Sequence, residues 1–374
     1  MKLAIAHDFL NQYGGAERVV EILHEIYPDA PIYTSIYIPE NLPDSFKKMN
    51  IKTSFMQKLP FINKLFKYYL IFYPKAFESF DLKEYDVILS SSSAFAKGII
   101  PGNNSLHICY CYTPTRFIWN YSNYTKKENY RLIISKLLPL VIKKLKTWDL
   151  GTIKRIDYFI SISESIKGKI IENYNRDSEV IYPPVDCKAF KISEEVKNYF
   201  LIVSRLNSYK NIDLAIKSFS NLGLNLKIVG KGPYRERLEK MAGHNVEFLG
   251  RVSDEDLIKL YGSCRAFIFP GEEDFGIAPL EAQASGRPVI AYAKGGALET
   301  IVQGVTGLFF TVDTVESIIN TITEFIRIEK DFNQNVIREN ALKFDKEVFK
   351  NKINIFIKTK YEQFLKNKTD ERKF

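Results

Sequence analysis

The chain has 374 residues, of which 45% are hydrophobic and 26% charged, and its net charge is +9. This length predicts two domains of roughly 150–200 residues each, and the apolar content excludes a disordered or collagen-like chain. The four cysteines include no Cys-x-x-Cys pair, which excludes a disulfide framework, disfavours structural zinc and indicates a reducing, cytoplasmic compartment.

The first predicted element is a buried strand over residues 2–7, followed by a turn at Gly14 and Gly15 and a helix over residues 16–26. The apolar start resembles a signal peptide, but His7 and Asp8 interrupt it, so a strand explains it better. The sequence contains no uncharged apolar stretch of about 18 residues, and we therefore expect no transmembrane helix.

Strands and helices are predicted to alternate along both halves of the chain, which is typical of parallel βαβ units. The further predicted strands lie at residues 32–37, 86–90, 107–112, 158–163, 200–204, 226–229, 246–249, 266–269 and 288–291. The further predicted helices lie at residues 212–219, 234–241, 254–261, 279–285 and 348–365. Pro183 and Pro184 break the alternation. We therefore predict two doubly wound domains, 1–184 and 185–349, facing across a cleft, with a C-terminal helix at about 350–374 packing back on the first.

Two segments are strongly basic. Residues 45–77 contain seven lysines and no acidic residue, and residues 126–146 contain seven basic residues and one acid, Glu128. Lysines interleaved with aromatic and aliphatic residues suit an anionic membrane surface. Solvated helix faces are the plainer alternative, and nucleic acid is disfavoured because no nucleic-acid module is recognisable.

The loop after the strand at residues 266–269 predicts an anion site. Pro279 suits the first position of a helix, so the amides of Phe275, Gly276 and Ile277 would point from its N-terminus toward a phosphate. Glu273 and Glu281 flank these amides. Two carboxylates beside a phosphate make sense if one accepts hydrogen bonds from a ribose and the other from a sugar, which predicts a nucleotide-sugar site.

Basic groups and further glycines complete the predicted site. Arg205 and Lys210 follow the strand at residues 200–204 and would neutralise a diphosphate. The glycines leave room for close backbone approach at two turns; they are Gly230 and Gly232 in the second half, and Gly14 and Gly15 in the first.

Together these residues resemble the family-4 retaining glycosyltransferases of the GT-B fold, over nearly the whole chain. Three segments are most similar to the bacterial O-antigen mannosyltransferase subgroup: HDFLNQYGGAERVV, CYCYTPTRFIWNYSNY and EEDFGIAPLEAQASGRPVIAYAKGGALETI. The resemblance implies retention of configuration, no metal, a GDP-mannose donor and a lipid-linked saccharide acceptor, at the inner face of the cell membrane. It assigns the diphosphate to Arg205 and Lys210, the ribose to Glu281, the donor hexose to Glu273, and the distal phosphate to the backbone of residues 275–277.

One position departs from the family pattern. Relatives usually carry a His where this chain has Tyr112, which cannot act as a base near neutral pH because the reference pKa of a tyrosine is about 10. We expect Tyr112 to have a positional role, or the donor preference to differ. His7 and Arg116 are acceptor-side candidates. A UDP-sugar donor and a non-catalytic subunit that binds sugar nucleotides remain the alternative functions.

Two further motifs have plain structural explanations. Asp254 and Asp256 resemble a DxD metal motif, but they follow Ser253, a natural N-cap, and acids favour the first turn of a helix. His107 lies inside a predicted strand, where we expect a core histidine.

Overall fold

The computed structural model describes residues 1–119 and 132–371. The chain divides into two compact units. The first unit contains Met1–Tyr182 and the C-terminal segment from Phe349 onwards, and the second contains Pro183–Val348.

The first unit is built on a seven-stranded parallel sheet in the order β3-β2-β1-β4-β5-β6-β7. Its strands are β1 (Leu3–His7), β2 (Ile32–Thr34), β3 (Ile51–Thr53), β4 (Val87–Ser92), β5 (Leu106–Cys111), β6 (Tyr158–Ser161) and β7 (Ser178–Val180). Every residue of the central strands β1, β4 and β5 is buried, as expected for parallel strands covered on both faces.

Helices and helical turns surround this sheet. The helices are Gly15–Ile26, Ile62–Leu65, Tyr73–Glu78, Arg116–Trp119, Leu132–Thr152, Glu164–Tyr174 and Lys346–Glu371. The last of these buries one stripe of side chains, Phe349, Ile353 and Ile357, spaced four residues apart. The Phe349 ring lies 5.8 Å from that of Tyr110 on β5, so the C-terminal helix belongs to the core of the first unit.

The second unit has a six-stranded parallel sheet in the order β10-β9-β8-β11-β12-β13. Its strands are β8 (Phe200–Val203), β9 (Leu226–Val229), β10 (Val246–Gly250), β11 (Phe267–Phe269), β12 (Val289–Tyr292) and β13 (Gly307–Phe310). Its helices are Ile212–Leu222, Arg235–Met241, Asp254–Ser263, Ile277–Ala284, Ala297–Thr300, Val315–Ile328 and Gln334–Leu342. Both sheets are doubly wound, as predicted.

The predicted elements are confirmed with small shifts in their bounds, and the strands β3, β7 and β13 were not predicted. Two helices begin two residues earlier than predicted: the helix predicted from residue 348 begins at Lys346, and the helix predicted from Pro279 begins at Ile277, with Gly276 as its N-cap. Proline is still accommodated there, because amides of the first turn have no intrahelical acceptor. Among the described residues, no helix is both long and apolar enough to cross a bilayer.

Two plain interpretations are also confirmed. The Ser253 side chain accepts a hydrogen bond from the amide of Asp256 and caps the helix Asp254–Ser263. His107 is fully buried, with Nδ1 2.8 Å from the carbonyl oxygen of Arg155 and Nε2 2.8 Å from Ser90 Oγ. Since a carbonyl only accepts, Nδ1 is the donor and Nε2 accepts from Ser90. Burial lowers the pKa of His107 to about 4, so it is a neutral core histidine.

Candidate functional site

The candidate donor site of the second unit lies at the carboxyl edge of its sheet. The strand order reverses direction at β8 and β11, which are neighbours although β9 and β10 lie between them in sequence. Arg205 follows the end of β8 and Glu273 follows the end of β11. Loops at such a switch point are where open α/β sheets bind ligands.

Lys210 and Glu273 meet directly at this edge. The Lys210 ammonium donates a hydrogen bond to Glu273 Oε1 and forms an ion pair with it. Both side chains keep a solvent-exposed part, 12% for Lys210 and 30% for Glu273. The cation assigned to the diphosphate and the carboxylate assigned to the hexose therefore lie side by side.

Glycines fix the path of the Glu273 loop. A Cβ on Gly295 would lie 2.2 Å from the carbonyl oxygen of Glu273, and the same oxygen accepts a 2.9 Å hydrogen bond from the amide of Gly296. A Cβ on Gly271 would lie 2.9 Å from the backbone of Lys210. Since real Cβ atoms essentially never approach so closely, larger residues at these positions would displace Glu273 and Lys210.

The helix after this loop presents its N-terminus on the same edge. Gly276, with φ +88°, precedes Ile277 as the N-cap. Glu281 lies one turn into the helix and is only 5% exposed. Its Oε2 accepts a 2.7 Å hydrogen bond from the Tyr261 hydroxyl, which fixes the carboxylate. Phe275 is buried, with its ring 5.9 Å from that of Phe344, so its side chain belongs to the core and is not available to a ligand.

Gly230 and Gly232 lie in the turn between β9 and the helix Arg235–Met241, against the end of β8. Cβ atoms here would lie 1.9 Å from the Ser204 carbonyl oxygen and 2.3 Å from that of Leu206. Glycine is therefore required for the packing of this turn, as well as for room beside a ligand. Arg205, between the two contacted residues, has an exposed side chain.

In the first unit, the strand order reverses at β1 and β4. Gly14 caps the helix Gly15–Ile26, and its amide donates a 2.8 Å hydrogen bond to Glu17 Oε2. His7, at the end of β1, is buried; its Nε2 lies 3.9 Å from Glu17 Oε1, and its Nδ1 lies 3.1 Å from Ser91 Oγ.

Tyr112 continues this chain of polar groups. Its hydroxyl lies 2.8 Å from Ser91 Oγ and donates a 3.1 Å hydrogen bond to the carbonyl oxygen of Ala16. Burial raises the pKa of Tyr112 well above its ordinary value, and the carboxylates of Glu17 and Asp8 act in the same direction against the opposing hydrogen bond from Ser91. The phenol thus stays protonated and ties β5 to the first turn of the helix at Gly15.

Two buried acids that sequence reasoning missed organise the neighbouring loops. Asp8 accepts hydrogen bonds from the Ser93 hydroxyl and from four consecutive backbone amides, those of residues 93–96, at 2.6–3.0 Å. Its position directly after β1 was the only sequence signal for this role.

The second acid is Asp149, which pairs with Lys97. Nζ of Lys97 lies 2.7 Å from Asp149 Oδ1, and both side chains are fully buried. The same carboxylate accepts hydrogen bonds from Thr115, Trp119 and Tyr174. Burial disfavours the Lys97 cation, yet Asp149 and Tyr174 outweigh this effect and raise its pKa. Arg116, exposed, follows Thr115 directly, so the pair fixes the loop that carries this acceptor-side candidate.

Among the described residues, no group of three or more His, Cys, Asp or Glu side chains is arranged to hold a metal ion. The basic segment at residues 126–146 lies in part outside the described residues: nothing is described for 126–131, nor for the side chains of 132–137.

Comparison with known proteins finds a family match within the second unit. Residues 188–344 match the family described as "Glycosyl transferases group 1". The match spans most of the second unit and less than half of the whole chain.

Relatives of known sequence include two mannosyltransferases. The O-antigen chain mannosyltransferase RfbU of Salmonella typhimurium is 37% identical over 151 residues, which are 37% of this chain and 43% of the relative. The alpha-1,3/1,6-mannosyltransferase ALG2 of Dictyostelium discoideum is 25% identical over 315 residues, 71% of this chain and 70% of the relative. Matches to three curated relatives cover 43% to 60% of their length.

Solved structures extend the likeness to the whole fold. HepE of Anabaena, in complex with UDP, has a TM-score of 0.72 and 17% identity over 96% of this chain and all of its own. Sucrose-phosphate synthase of Thermosynechococcus elongatus has a TM-score of 0.75 and 18% identity over 97% of this chain and all of its own. These likenesses, with the two parallel sheets, confirm the GT-B fold class.

Proposed function

We propose that the chain is a retaining glycosyltransferase that moves a hexose, mannose from GDP-mannose, onto a lipid-linked saccharide during surface-polysaccharide assembly at the inner face of the cell membrane. The observation that carries this proposal is the pairing of Lys210 with Glu273 beside the glycine-capped helix that bears Glu281. The mannosyltransferases among the relatives support the choice of sugar and donor.

The proposed roles follow from the chemistry of each group. The carboxylate of Glu281, held by Tyr261, accepts hydrogen bonds from the ribose hydroxyls, and Glu273 accepts them from the hexose. Lys210, Arg205 and the amides of residues 275–277 contact the diphosphate. Because these groups are fixed before the reaction, they stabilise negative charge as it develops on the leaving phosphate.

The proposed reaction breaks the bond between the anomeric carbon and the phosphate oxygen. The acceptor hydroxyl attacks from the same face of the sugar, its oxygen forms the new bond to the anomeric carbon, and its proton passes to the leaving phosphate. No side chain is needed as a base in this route, which agrees with a phenol at position 112 that stays protonated.

The test is transfer of radiolabelled sugar from GDP-mannose, GDP-fucose, UDP-glucose and UDP-galactose to a membrane extract containing lipid-linked saccharides. We expect turnover with GDP-mannose and a product of retained configuration by NMR. Turnover with UDP-sugars alone would overturn the donor assignment. The absence of transfer with any donor, despite donor binding, would favour a non-catalytic sugar-nucleotide-binding subunit.

Substitution of Glu273 tests the site, with the neighbouring Glu272 as the matched control. Glu273→Gln keeps the shape but removes the charge that pairs with Lys210 and accepts from the sugar, so we expect kcat/KM to fall by at least about 100-fold. Glu272→Gln, at the exposed neighbour in the same loop, should stay within about threefold, since surface changes have small effects. Equal activity of the two variants would contradict the site.

A further inference from the structure

The first unit carries a helical segment with one buried and one exposed side. Helical turns run through Ile62–Leu65, Phe66–Tyr68, Leu70–Phe72 and Tyr73–Glu78 with a break only at residue 69. On the inner side Ile62, Tyr73, Ala76 and Phe77 are buried in the hydrophobic core, and Phe66, Tyr69 and Leu70 pack against it. This side anchors the segment.

The opposite side exposes large apolar side chains. Phe61 is 77% exposed, Tyr68 62% and Ile71 57%, and Leu65 and Phe72 are exposed as well. Leu65, Tyr68 and Ile71 are spaced by three residues within the helical turns, which is the spacing of side chains that share one face. Phe61 directly precedes the first turn, and Phe72 follows Ile71. Scattered apolar residues are ordinary on a protein surface, whereas a contiguous row marks an interaction site.

Lysines surround this row. Lys58, Lys64, Lys67 and Lys75 are exposed, and within the described part of the chain none of the four forms an ion pair. The sequence from 45 to 77 supplies no acidic residue to neutralise them. We call the five exposed apolar residues and these four lysines the interfacial patch.

The backbone at Phe61 supports a role beyond folding. Phe61 has φ +50°, in the left-handed region that disfavours residues other than glycine. It also has the largest exposed fraction of any phenylalanine in the described chain. Burial of the Phe61 ring therefore does not offset the cost of this backbone conformation. The conformation fits a side chain that points outward for contact with another surface.

We propose that the interfacial patch docks the chain onto an anionic lipid bilayer. The aromatic and aliphatic side chains enter the boundary between headgroups and acyl chains, and the four ammonium groups contact headgroup phosphates. The four exposed lysines favour an anionic lipid surface over an uncharged groove of another protein as the binding partner. The proposal is independent of the transferase reaction, because it concerns binding to lipid and not turnover.

The first test is flotation of the full-length protein with vesicles of phosphatidylcholine alone and of phosphatidylcholine mixed with phosphatidylglycerol. We expect binding to the anionic vesicles that weakens as salt is raised, and little binding to neutral ones. No binding to anionic vesicles, or equal binding to both kinds, would overturn the proposal.

Paired variants then locate the surface. Lys64→Glu with Lys67→Glu should weaken vesicle binding by at least about tenfold, given that each basic residue near an anionic surface contributes several-fold. Lys217→Glu with Lys352→Glu makes the same charge change at exposed lysines of two other helices, and should leave binding within about threefold. Equal losses for the two pairs would show a net-charge effect and overturn the patch.

Insertion is tested on the apolar row. Phe61→Ser with Ile71→Ser should lower affinity for anionic vesicles about tenfold or more, while Ile355→Ser with Leu298→Ser, two exposed positions elsewhere, should not. Phe61→Trp should add an emission that shifts to the blue and is quenched by brominated lipid chains. An unshifted emission on bound vesicles, or self-association of the protein that Phe61→Ser abolishes without any effect of lipid, would overturn insertion.

Discussion

Tyr112 stands where the family resemblance implied a histidine, and its contacts explain what a phenol does there. The hydroxyl donates to the carbonyl oxygen of Ala16 and contacts Ser91, which also approaches His7. One side chain directly after β5 thus holds the start of the helix Gly15–Ile26, next to the Gly14 and Gly15 turn. These contacts favour a positional role, and its part in catalysis stays a prediction.

Replacing Tyr112 by Phe tests this role. Tyr112→Phe removes the hydrogen bond to Ala16 and the contact with Ser91, so we expect the free energy of unfolding to fall by about 0.5–1.5 kcal/mol in a denaturant titration. The pH–rate profile between about pH 6 and 9 should keep its shape, because the raised pKa leaves the phenol protonated throughout this range.

A change in the pH–rate profile of Tyr112→Phe would contradict a positional role. If Tyr112→Phe removed a limb of the pH–rate profile, the phenol would titrate during the reaction and would not be merely positional. Tyr68→Phe, at a tyrosine that is 62% exposed, is the control for loss of a hydroxyl and should leave both stability and the profile unchanged.

Individual residues were predictable only where a local motif reports them. Glu273, Gly276 and Glu281 share one loop and helix, so their spacing alone suggested a common site. Tyr112 and Ala16, in contrast, are 96 positions apart, and Asp8 contacts amides 85 to 88 positions away. Such contacts depend on strand order, which local patterns do not contain.

At the scale of elements, the buried Lys97–Asp149 pair joins four parts of the first unit. Lys97 lies in the turn after β4 and Asp149 on the helix Leu132–Thr152. Thr115, in the loop before Arg116, and Tyr174, on the helix Glu164–Tyr174, donate hydrogen bonds to the same carboxylate. The sequence did not indicate that Lys97 is buried, because lysine is usually a surface residue.

Replacing Lys97 by Met should be costly, because it leaves the Asp149 carboxylate buried without its cation. We expect a loss of about 3–5 kcal/mol in the free energy of unfolding of the first unit, measured with urea. The double variant Lys97→Met with Asp149→Asn should lose less than the sum of the single changes.

An exposed ion pair provides the comparison. Lys47 Nζ and Asp44 Oδ1 lie 2.6 Å apart on the surface, and Lys47→Met should leave the free energy of unfolding almost unchanged, because solvent screens exposed ion pairs. A similar cost for the two lysine variants would mean that the buried pair contributes no more than a surface contact.

The alternation of strands and helices was readable because each element carries its own hydrophobic period. The missed strands β3 (Ile-Lys-Thr) and β7 (Ser-Glu-Val) each contain a single aliphatic residue, so no apolar run marks them in the sequence. β13 (Gly-Leu-Phe-Phe) was also missed. The helix Ile277–Ala284 began earlier than its proline suggested, because the φ of Gly276 and not Pro279 fixes the start.

At the scale of the whole molecule, the two units differ in how many ionisable tyrosines they bury. Burial raises the pKa of eight described tyrosines in the first unit: Tyr27, to about 12, and Tyr37, Tyr73, Tyr85, Tyr110, Tyr112, Tyr174 and Tyr361. In the second unit it raises that of Tyr199. The tyrosines of the folded first unit therefore ionise at a higher pH than the same tyrosines in the unfolded chain.

This difference predicts selective unfolding of the first unit in alkali. A folded pKa above the unfolded value of about 10 contributes stability that is present below pH 10 and is lost as the pH rises through the folded values. Both tryptophans, Trp119 and Trp148, lie in the first unit, so the wavelength of their emission reports that unit alone, whereas far-ultraviolet circular dichroism reports both. Between pH 8 and about pH 11, we expect the melting temperature from the emission wavelength to fall further than that of the last circular-dichroism transition. Equal falls in the two would show that buried tyrosines do not set the alkaline limit of the first unit.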